Sequence, residues 1–239
     1  MSKPKVGLIG IGKWGSIIKQ KLKKNSNLLF AANSQSLYLN KLKFLDWIFI
    51  ATPDQTHFAL VKKMIKQKKN IFCEKPLTLN YNKSKLLFNL ANRNKIKLYV
   101  DNIQSFHIKK IKLSKNNYIT RQKKGSGNPK YLLYRFAYHD FYYLYNYLKN
   151  KKLKSIKIED KKKDLKFKLT YHDLSVFNFY YSLNSEKKIH MINHKSFITK
   201  KDLLDIMIKS VLKNKVNFIK NQKQSLFANQ MIDKIRKRL

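Results

Sequence analysis

The sequence predicts an α/β chain: a doubly wound parallel sheet, then a shortened α+β region whose sheet is mainly antiparallel. Three observations carry this expectation. Over roughly the first hundred residues, short apolar runs alternate with amphipathic stretches, the pattern of parallel strands covered on both faces. A glycine-rich turn, Gly10-Ile11-Gly12-Lys13-Trp14-Gly15, separates the first such run from the first amphipathic stretch. After about residue 102 the strands cluster without intervening helices, which suits antiparallel pairing. The expected boundary divides the chain into residues 1–101 and 102–239.

The elements can be placed in order. Lys5 to Ile9 reads as a buried strand, and the helix after the glycine turn sets Ile17, Ile18 and Leu22 on one side and lysines on the other. Leu28 to Ala32 and Trp47 to Ala51 are the second and third strands, with room between them for only a short helix or a loop. A helix spans Gln55 to Gln67 through Ala59, Val61, Met64 and Ile65. Asn70 to Cys73 is the fourth strand, Tyr81 to Arg93 a helix, and Lys97 to Val100 the fifth strand. Beyond them, Gly125 to Pro129 is a loop and Tyr131 to Leu148 a strongly aromatic helix. Leu165 to Leu169 alternates apolar and basic residues, which marks a half-buried strand. Val176 to Leu183 and Ile189 to Ile192 are further strands, and Lys161 to Lys163 reads as a solvated turn. Thr199 to Asp202 resembles a capping box opening a helix through Leu203, Met207 and Val211, and a last helix spans Ser225 to Arg236.

Composition narrows the function classes. A 239-residue chain with 43% hydrophobic residues can bury a core, and no apolar run reaches the ~18–20 residues needed to span a membrane. The start lacks a signal peptide's apolar stretch, and cytoplasm is the expected location. One cysteine, Cys73, cannot form an internal disulfide and is expected to pack within a strand; the histidines share no metal-ligand spacing, and no metal is expected. Fifty-three Lys and Arg against 13 Asp and Glu give a net charge of +40. That excess fits a polyanion partner or compositional drift; the lysines are spread along the chain, which favours drift over nucleic acid.

The motifs carry the chemistry. Gly10 permits a tight turn, Gly12 lets the backbone approach a pyrophosphate, Gly15 allows close helix packing, and the helix N-terminus faces the phosphates. At the end of the second strand, where a carboxylate would bind an adenosine ribose, the chain has Asn33 and Ser34. No arginine stands there for a 2′-phosphate, so NAD and NADP both remain open. The third strand runs into Ala51-Thr52-Pro53-Asp54 and His57, the fourth into Glu74-Lys75-Pro76. Both lie at the carboxyl edge, where open α/β sheets bind ligands. His57 reads equally as a structural cap or a nicotinamide-side residue. The rings between 136 and 147 read as core, an interface or a sugar-stacking pocket.

In Gly10 to Gly15, in "ATPDQTH" at 51–57 and in "EKPLTLN" at 74–80, the chain resembles the glucose–fructose oxidoreductase, inositol dehydrogenase and MocA family (Gfo/Idh/MocA). The resemblance implies an N-terminal Rossmann domain, NAD or NADP as coenzyme, and Lys75 assisting hydride transfer, its Pro76 following a cis bond. It implies a second domain for substrate and for homo-oligomer formation. There, "YRFAYHDFYYLYNYL" at 134–148 supplies His139 and Asp140 at the family's histidine position, with Arg135 in place of the usual aspartate and Ala137 where glycine is common. The catalytic candidates are Lys75 and His139. The cofactor candidates are Gly10, Ile11, Gly12, Lys13, Trp14, Gly15, Asn33, Ser34, Ala51, Thr52, Pro53, Asp54, His57, Glu74, Lys75 and Asn102. A positive Arg135 one turn from His139 would favour neutral imidazole, which leaves Lys75 as proton donor and His139 as substrate-orienting partner. The "GKWG" turn at 12–15, the "HD" helix and the later "FYYSLNSEKK" look most like sugar-nucleotide dehydrogenases of bacterial surface-polysaccharide synthesis, so the expected substrate is a polyhydroxylated alcohol or ketone of the sugar or nucleotide-sugar kind. The rivals are a reductase of an imine or tetrapyrrole on the same scaffold, and a non-catalytic dinucleotide- or polyanion-binding protein.

Overall fold

The computed structural model describes residues 3–33, 39–107, 111–160 and 164–239; the expected turn at Lys161 to Lys163 and the candidate Ser34 lie outside the described residues. The chain divides into two compact units, residues 1–106 with 202–229, and residues 107–201 with 230–239.

The first unit begins with β1 (Lys5–Ile9), α1 (Lys13–Asn25), β2 (Asn27–Ala32), α2 (Leu39–Leu42), β3 (Trp47–Ile50), α3 (Asp54–Lys66), β4 (Asn70–Cys73), α4 (Tyr81–Arg93) and β5 (Leu98–Val100). All five strands pair in parallel, in the order β2-β1-β3-β4-β5. From β1 the chain first winds to β2 on one side and then crosses to β3 on the other. That reversal opens a crevice beyond the carboxyl ends of β1 and β3. Among the described residues of the thin second crossover, α2 is a single turn of helix. Alternation along each strand sends Val6, Leu8, Trp47, Phe49, Phe72 and Tyr99 into one core layer, where Ile18 and Leu22 of α1 meet them. On the sheet's far side α3 lies against β3, β4 and α4.

The second unit is built on a six-stranded sheet: β6 (Asn116–Lys124), β7 (Leu153–Asp160), β8 (Leu165–Tyr171), β9 (Val176–Ser182), β10 (Asn184–Ile192) and β11 (Lys195–Ser196). The order is β11-β10-β6-β9-β8-β7, antiparallel except where β6 runs parallel to β9. The aromatic helix is α5 (Pro129–Leu132), a π-helical turn over Leu133–Ala137, and α6 (Tyr138–Leu148). Tyr138, Phe141 and Tyr142 are fully buried, and Phe141 packs 5.5 Å from Phe179 of β9. These rings are core.

Two helices remain, α7 (Leu203–Leu212) and α8 (Phe218–Arg236), and they shift the expected division at residue 101. Leu204, Met207, Ile208 and Val211 of α7 belong to the same core layer as β1, β3 and β4, so residues 202–229 complete the first unit. The α7 cap also differs from the expected Thr199. The Asp202 carboxylate accepts from the Asp205 N–H at 3.0 Å, while the Thr199 hydroxyl accepts from the Lys201 N–H and so makes a local turn outside the helix. Helix α8 starts well ahead of Ser225, and Asn221 on its first turns closes the edge of the sheet. Its amide accepts from the Val100 N–H at 2.9 Å and donates to the Val100 carbonyl at 2.8 Å, pairing β5 as a neighbouring strand would.

Candidate dinucleotide site at the carboxyl edge of the first sheet

Four strand ends bring the candidates of the first unit to one edge: β1 delivers the glycine turn, β3 the segment from Ala51 to His57, β4 Glu74 to Pro76, and β5 Asp101 and Asn102. Gly10 has a φ of +97°, and a Cβ there would stand 2.5 Å from the Ala51 carbonyl, so the turn requires glycine. A Cβ on Gly15 would meet the Gly10 carbonyl oxygen at 2.0 Å, which is how closely α1 starts against the turn. Gly12 is different: a Cβ there would touch nothing within 4 Å. It is the N-cap of α1, no side chain caps that helix, and its first turn carries Lys13 and no acidic residue. Free helix N–H groups, the positive end of the helix dipole and open space above Gly12 together suit a pyrophosphate. Ile11, Lys13 and Trp14 line this turn in exposed positions, and Asn33 is exposed just past β2.

The segments from β3 and β4 are tied to each other through His57. Its ring is fully buried, with Nδ1 2.8 Å from the Pro76 carbonyl oxygen and Nε2 2.9 Å from that of Thr52. Both ring nitrogens are thus used inside the protein, and His57 braces the two loops. Thr52 is buried and its hydroxyl lies 2.6 Å from that of Thr56, Pro53 is the N-cap of α3, and Asp54 places a carboxylate on its first turn, where the dipole favours one. The Lys75–Pro76 bond is cis.

Glu74 points inward. The Trp14 indole N–H donates to its Oε1 at 2.5 Å, joining the glycine turn to the β4 end, and its carboxyl also hydrogen-bonds that of Asp101. Asp101 is buried and accepts from the Ile103 N–H at 3.1 Å. Burial pushes the Glu74 carboxyl well above its ordinary range and the Asp101 charge pushes it further, against the pull of Trp14 and Lys75. Asp101 is also raised by burial, but the hydrogen bond from Glu74, the Lys75 charge and the Ile103 N–H pull it back. Asp101 is the member that sequence reasoning missed; an acidic residue one step past a strand gives no signal until β4 and β5 are known to be neighbours. Asn102 is buried too, its amide donating to Ser105 at 2.5 Å and to Gln224 of α8 at 3.2 Å. The Cys73 thiol is pushed up by burial and by the charges of Glu74, Asp54 and Asp101, which fits packing within β4.

His139 lies in the second unit, at the start of α6 directly after the π-helical turn. Its neighbour Asp140 is the hub of a buried cluster: Arg121 Nε donates at 2.8 and 2.9 Å, Tyr181 Oη donates at 2.9 Å, and His190 Nε2 stands at 3.2 Å. Burial pushes the Asp140 carboxyl up, but Arg121 and His190 outweigh it and hold the group below its ordinary value. His190 is lowered to about 4 by burial and by Arg121. Arg135 donates to the Tyr131 hydroxyl and stacks 5.1 Å from that ring. No cluster of metal-binding side chains occurs among the described residues, and no helix among them is long and apolar enough to cross a membrane.

Known proteins match this arrangement. Residues 19–102 match the model of the GFO_IDH_MocA family, described as an oxidoreductase family with an NAD-binding Rossmann fold; the matched stretch begins just after the glycine turn. An uncharacterized oxidoreductase of Streptococcus pneumoniae is 24% identical over 120 residues, a match that covers 43% of this chain and about a third (33%) of that relative's length. Among solved structures, UDP-N-acetylglucosamine 3-dehydrogenase GnnA of Acidithiobacillus ferrooxidans superposes with a TM-score of 0.81 at 16% identity, covering 99% of this chain and 97% of that one. The WlbA (WbpB) dehydrogenase of Thermus thermophilus, solved with NAD and UDP-GlcNAcA, gives a TM-score of 0.75 at 13% identity, over 97% and 95% of the two chains. Such identities speak for shared fold. With the matched family model they agree with the relationship first drawn from the 51–57 and 74–80 motifs: residues 19–102 are similar to the NAD-binding Rossmann fold of the Gfo/Idh/MocA oxidoreductases.

Proposed function

We propose that the chain is an NAD(P)-dependent oxidoreductase that moves hydride between a nicotinamide and a polyhydroxylated alcohol or ketone, a sugar or nucleotide sugar. The observation that carries this reading is the hydrogen bond from Trp14 to Glu74, because it joins the phosphate-suited glycine turn to the strand end that bears Lys75. The open space at Gly12 and the uncapped start of α1 suit the pyrophosphate, and exposed Asn33 can bond a ribose hydroxyl. A bound nicotinamide would supply or accept the hydride. The remaining requirement is a proton route to the alcohol oxygen: the Lys75 ammonium can give that proton, and its neutral amine can take it. The resemblance gives His139 the part of a substrate-orienting group. Solved relatives that act on or bind UDP-sugars support the nucleotide-sugar class. The abundance of lysine favours encounter with phosphorylated ligands, within a screening length of about 8 Å at physiological salt.

Fluorescence titration with NADH and NADPH, followed by a panel of nucleotide sugars, tests the proposal directly. On the substrate so found, Lys75→Ala is expected to lower hydride transfer ~100- to 10,000-fold. Equal and negligible losses in Lys75→Ala and His139→Ala would overturn both roles. Arg135 motivates one rival, a dinucleotide-binding protein without turnover, because its guanidinium bonds and stacks on Tyr131 where the family has a carboxylate. That rival predicts coenzyme binding with no oxidation of any polyol on the panel.

A further inference from the structure

Glu74 and Asp101 directly follow Cys73 and Val100, paired residues at the ends of the neighbouring parallel strands β4 and β5; both are buried, at 7% and 1% exposure, with their carboxyls in hydrogen-bond contact. Two carboxylate oxygens have no hydrogen to share, so a direct bond between them requires a proton on one. The donors around the pair leave one oxygen of each carboxyl for that proton. Trp14 N–H fills one oxygen of Glu74 at 2.5 Å, and Ile103 N–H fills Oδ1 of Asp101 at 3.1 Å. One chain of bonds satisfies every group: indole to Glu74, a single proton between the two carboxyls, and backbone N–H to Asp101. Lys75 follows Glu74 directly, and its charge acts on both carboxyls.

We propose that Glu74 and Asp101 hold one proton between them, and that the single negative charge left on the pair is the fixed counter-charge keeping Lys75 an ammonium. Asp101 is thus a positioning residue that acts on the proton carrier, and Trp14 couples the pair to the glycine turn. The idea deepens the proposed function, since it rests on Lys75 being the proton carrier. The other titratable groups facing the pair are Cys73 on β4 and Tyr99 on β5, and Asp54 on α3 acts on Cys73. Burial pushes the Cys73 thiol and the Tyr99 hydroxyl upward, which keeps both neutral at physiological pH, and Asp54 is common to every variant below.

Charge counting supplies the test. Glu74→Gln leaves the Asp101 carboxylate, and Asp101→Asn leaves Glu74 free to ionise; each single variant keeps one negative charge. The double variant has none, while its two amides can still bond each other. Reactivity of the Lys75 amine toward an amine-specific label, read by mass spectrometry across pH, should match the parent in both singles. In the double variant it should rise by about tenfold or more at neutral pH. A single variant that shifts Lys75 as far as the double does, or a double that matches the parent, would overturn the proposal. If the double variant fails to fold, Trp14 emission decides. Measured in a Trp47→Phe background, it should titrate above the ordinary carboxylate range and lose that transition in Glu74→Gln. A transition within the ordinary range, or one that survives Glu74→Gln, overturns the pair. Neither readout uses coenzyme or substrate. The expected labelling in a chain that transfers no hydride would therefore uphold the pair and overturn the proposed function alone.

Discussion

Asp140 and Glu74 are both buried carboxyl groups, yet they sit on opposite sides of neutralisation. Asp140 of the second unit is ringed by Arg121, His190 and Tyr181 and is held ionised below its ordinary range. Glu74 of the first unit faces another carboxyl and an indole, and keeps its proton far above that range. Burial pushes both upward; the neighbours decide the outcome. The difference teaches what each cluster is for. A full complement of donors around an ion makes a rigid joint, here pinning α6 to β6, β9 and β10. Two carboxyls that share a proton beside a lysine make a fixed single charge at a sheet edge, where open α/β folds do their chemistry.

The contrast can be broken most severely at Arg121. Arg121→Leu strands the Asp140 carboxylate without its cation and should cost roughly 3–5 kcal/mol in denaturant-induced unfolding of the second unit. A loss below about 1 kcal/mol would mean that Asp140 is protonated after all. The two clusters should also respond to pH with opposite sign. His190 is depressed from 6.5 to about 4, so the unfolded chain takes up a proton first as pH falls through that window. Stability supplied by the second cluster is present above about 6.5 and should drop by about 3 kcal/mol as pH falls through about 4. The Glu74 group is raised, so its favourable contribution is present below 4.5 and disappears as pH climbs through its folded value. Hydrogen exchange followed by unit should therefore show protection of β6 and β10 weakening toward acid and that of β4 and β5 weakening toward alkali. The mildest probe is Gly12→Ala. Its Cβ meets open space, so melting should move by less than about 1 kcal/mol, while NADH affinity should fall by about tenfold or more. Unchanged affinity would remove Gly12 from the coenzyme site.

Much of the first unit was legible because hydrocarbon wrote it. Trp47 to Ile50 and Asn70 to Cys73 are buried apolar runs, and α4 was read from Tyr81 to Arg93 with both ends correct. What escaped was built from buried polar groups, which break apolar periodicity. The first two turns of α8 bury Asn221 and Gln224, so Phe218 to Gln224 carries no helical stripe. Strand β6 turns Asn117 and Arg121 inward beside Ile119, and Arg121 reads as a surface residue until Asp140 is found beneath it. The candidate site divides in the same way. The turn glycines and the β3 and β4 ends were found by spacing. The inward aim of Glu74, His57 and Asn102 was not, since it depends on partners such as Asp101 and Gln224 supplied by other strands and by α8.

The amide of Asn221 has a consequence for how the protein is made. It meets Val100 across 121 residues of sequence, with the second unit's sheet lying between. Until the ribosome has released that asparagine, the nascent dinucleotide sheet carries a bare strand with unclaimed backbone groups, a template for any passing extended peptide. A fragment ending at residue 201 would keep that template for its whole lifetime, so aggregation is the fate expected of a chain cut short there.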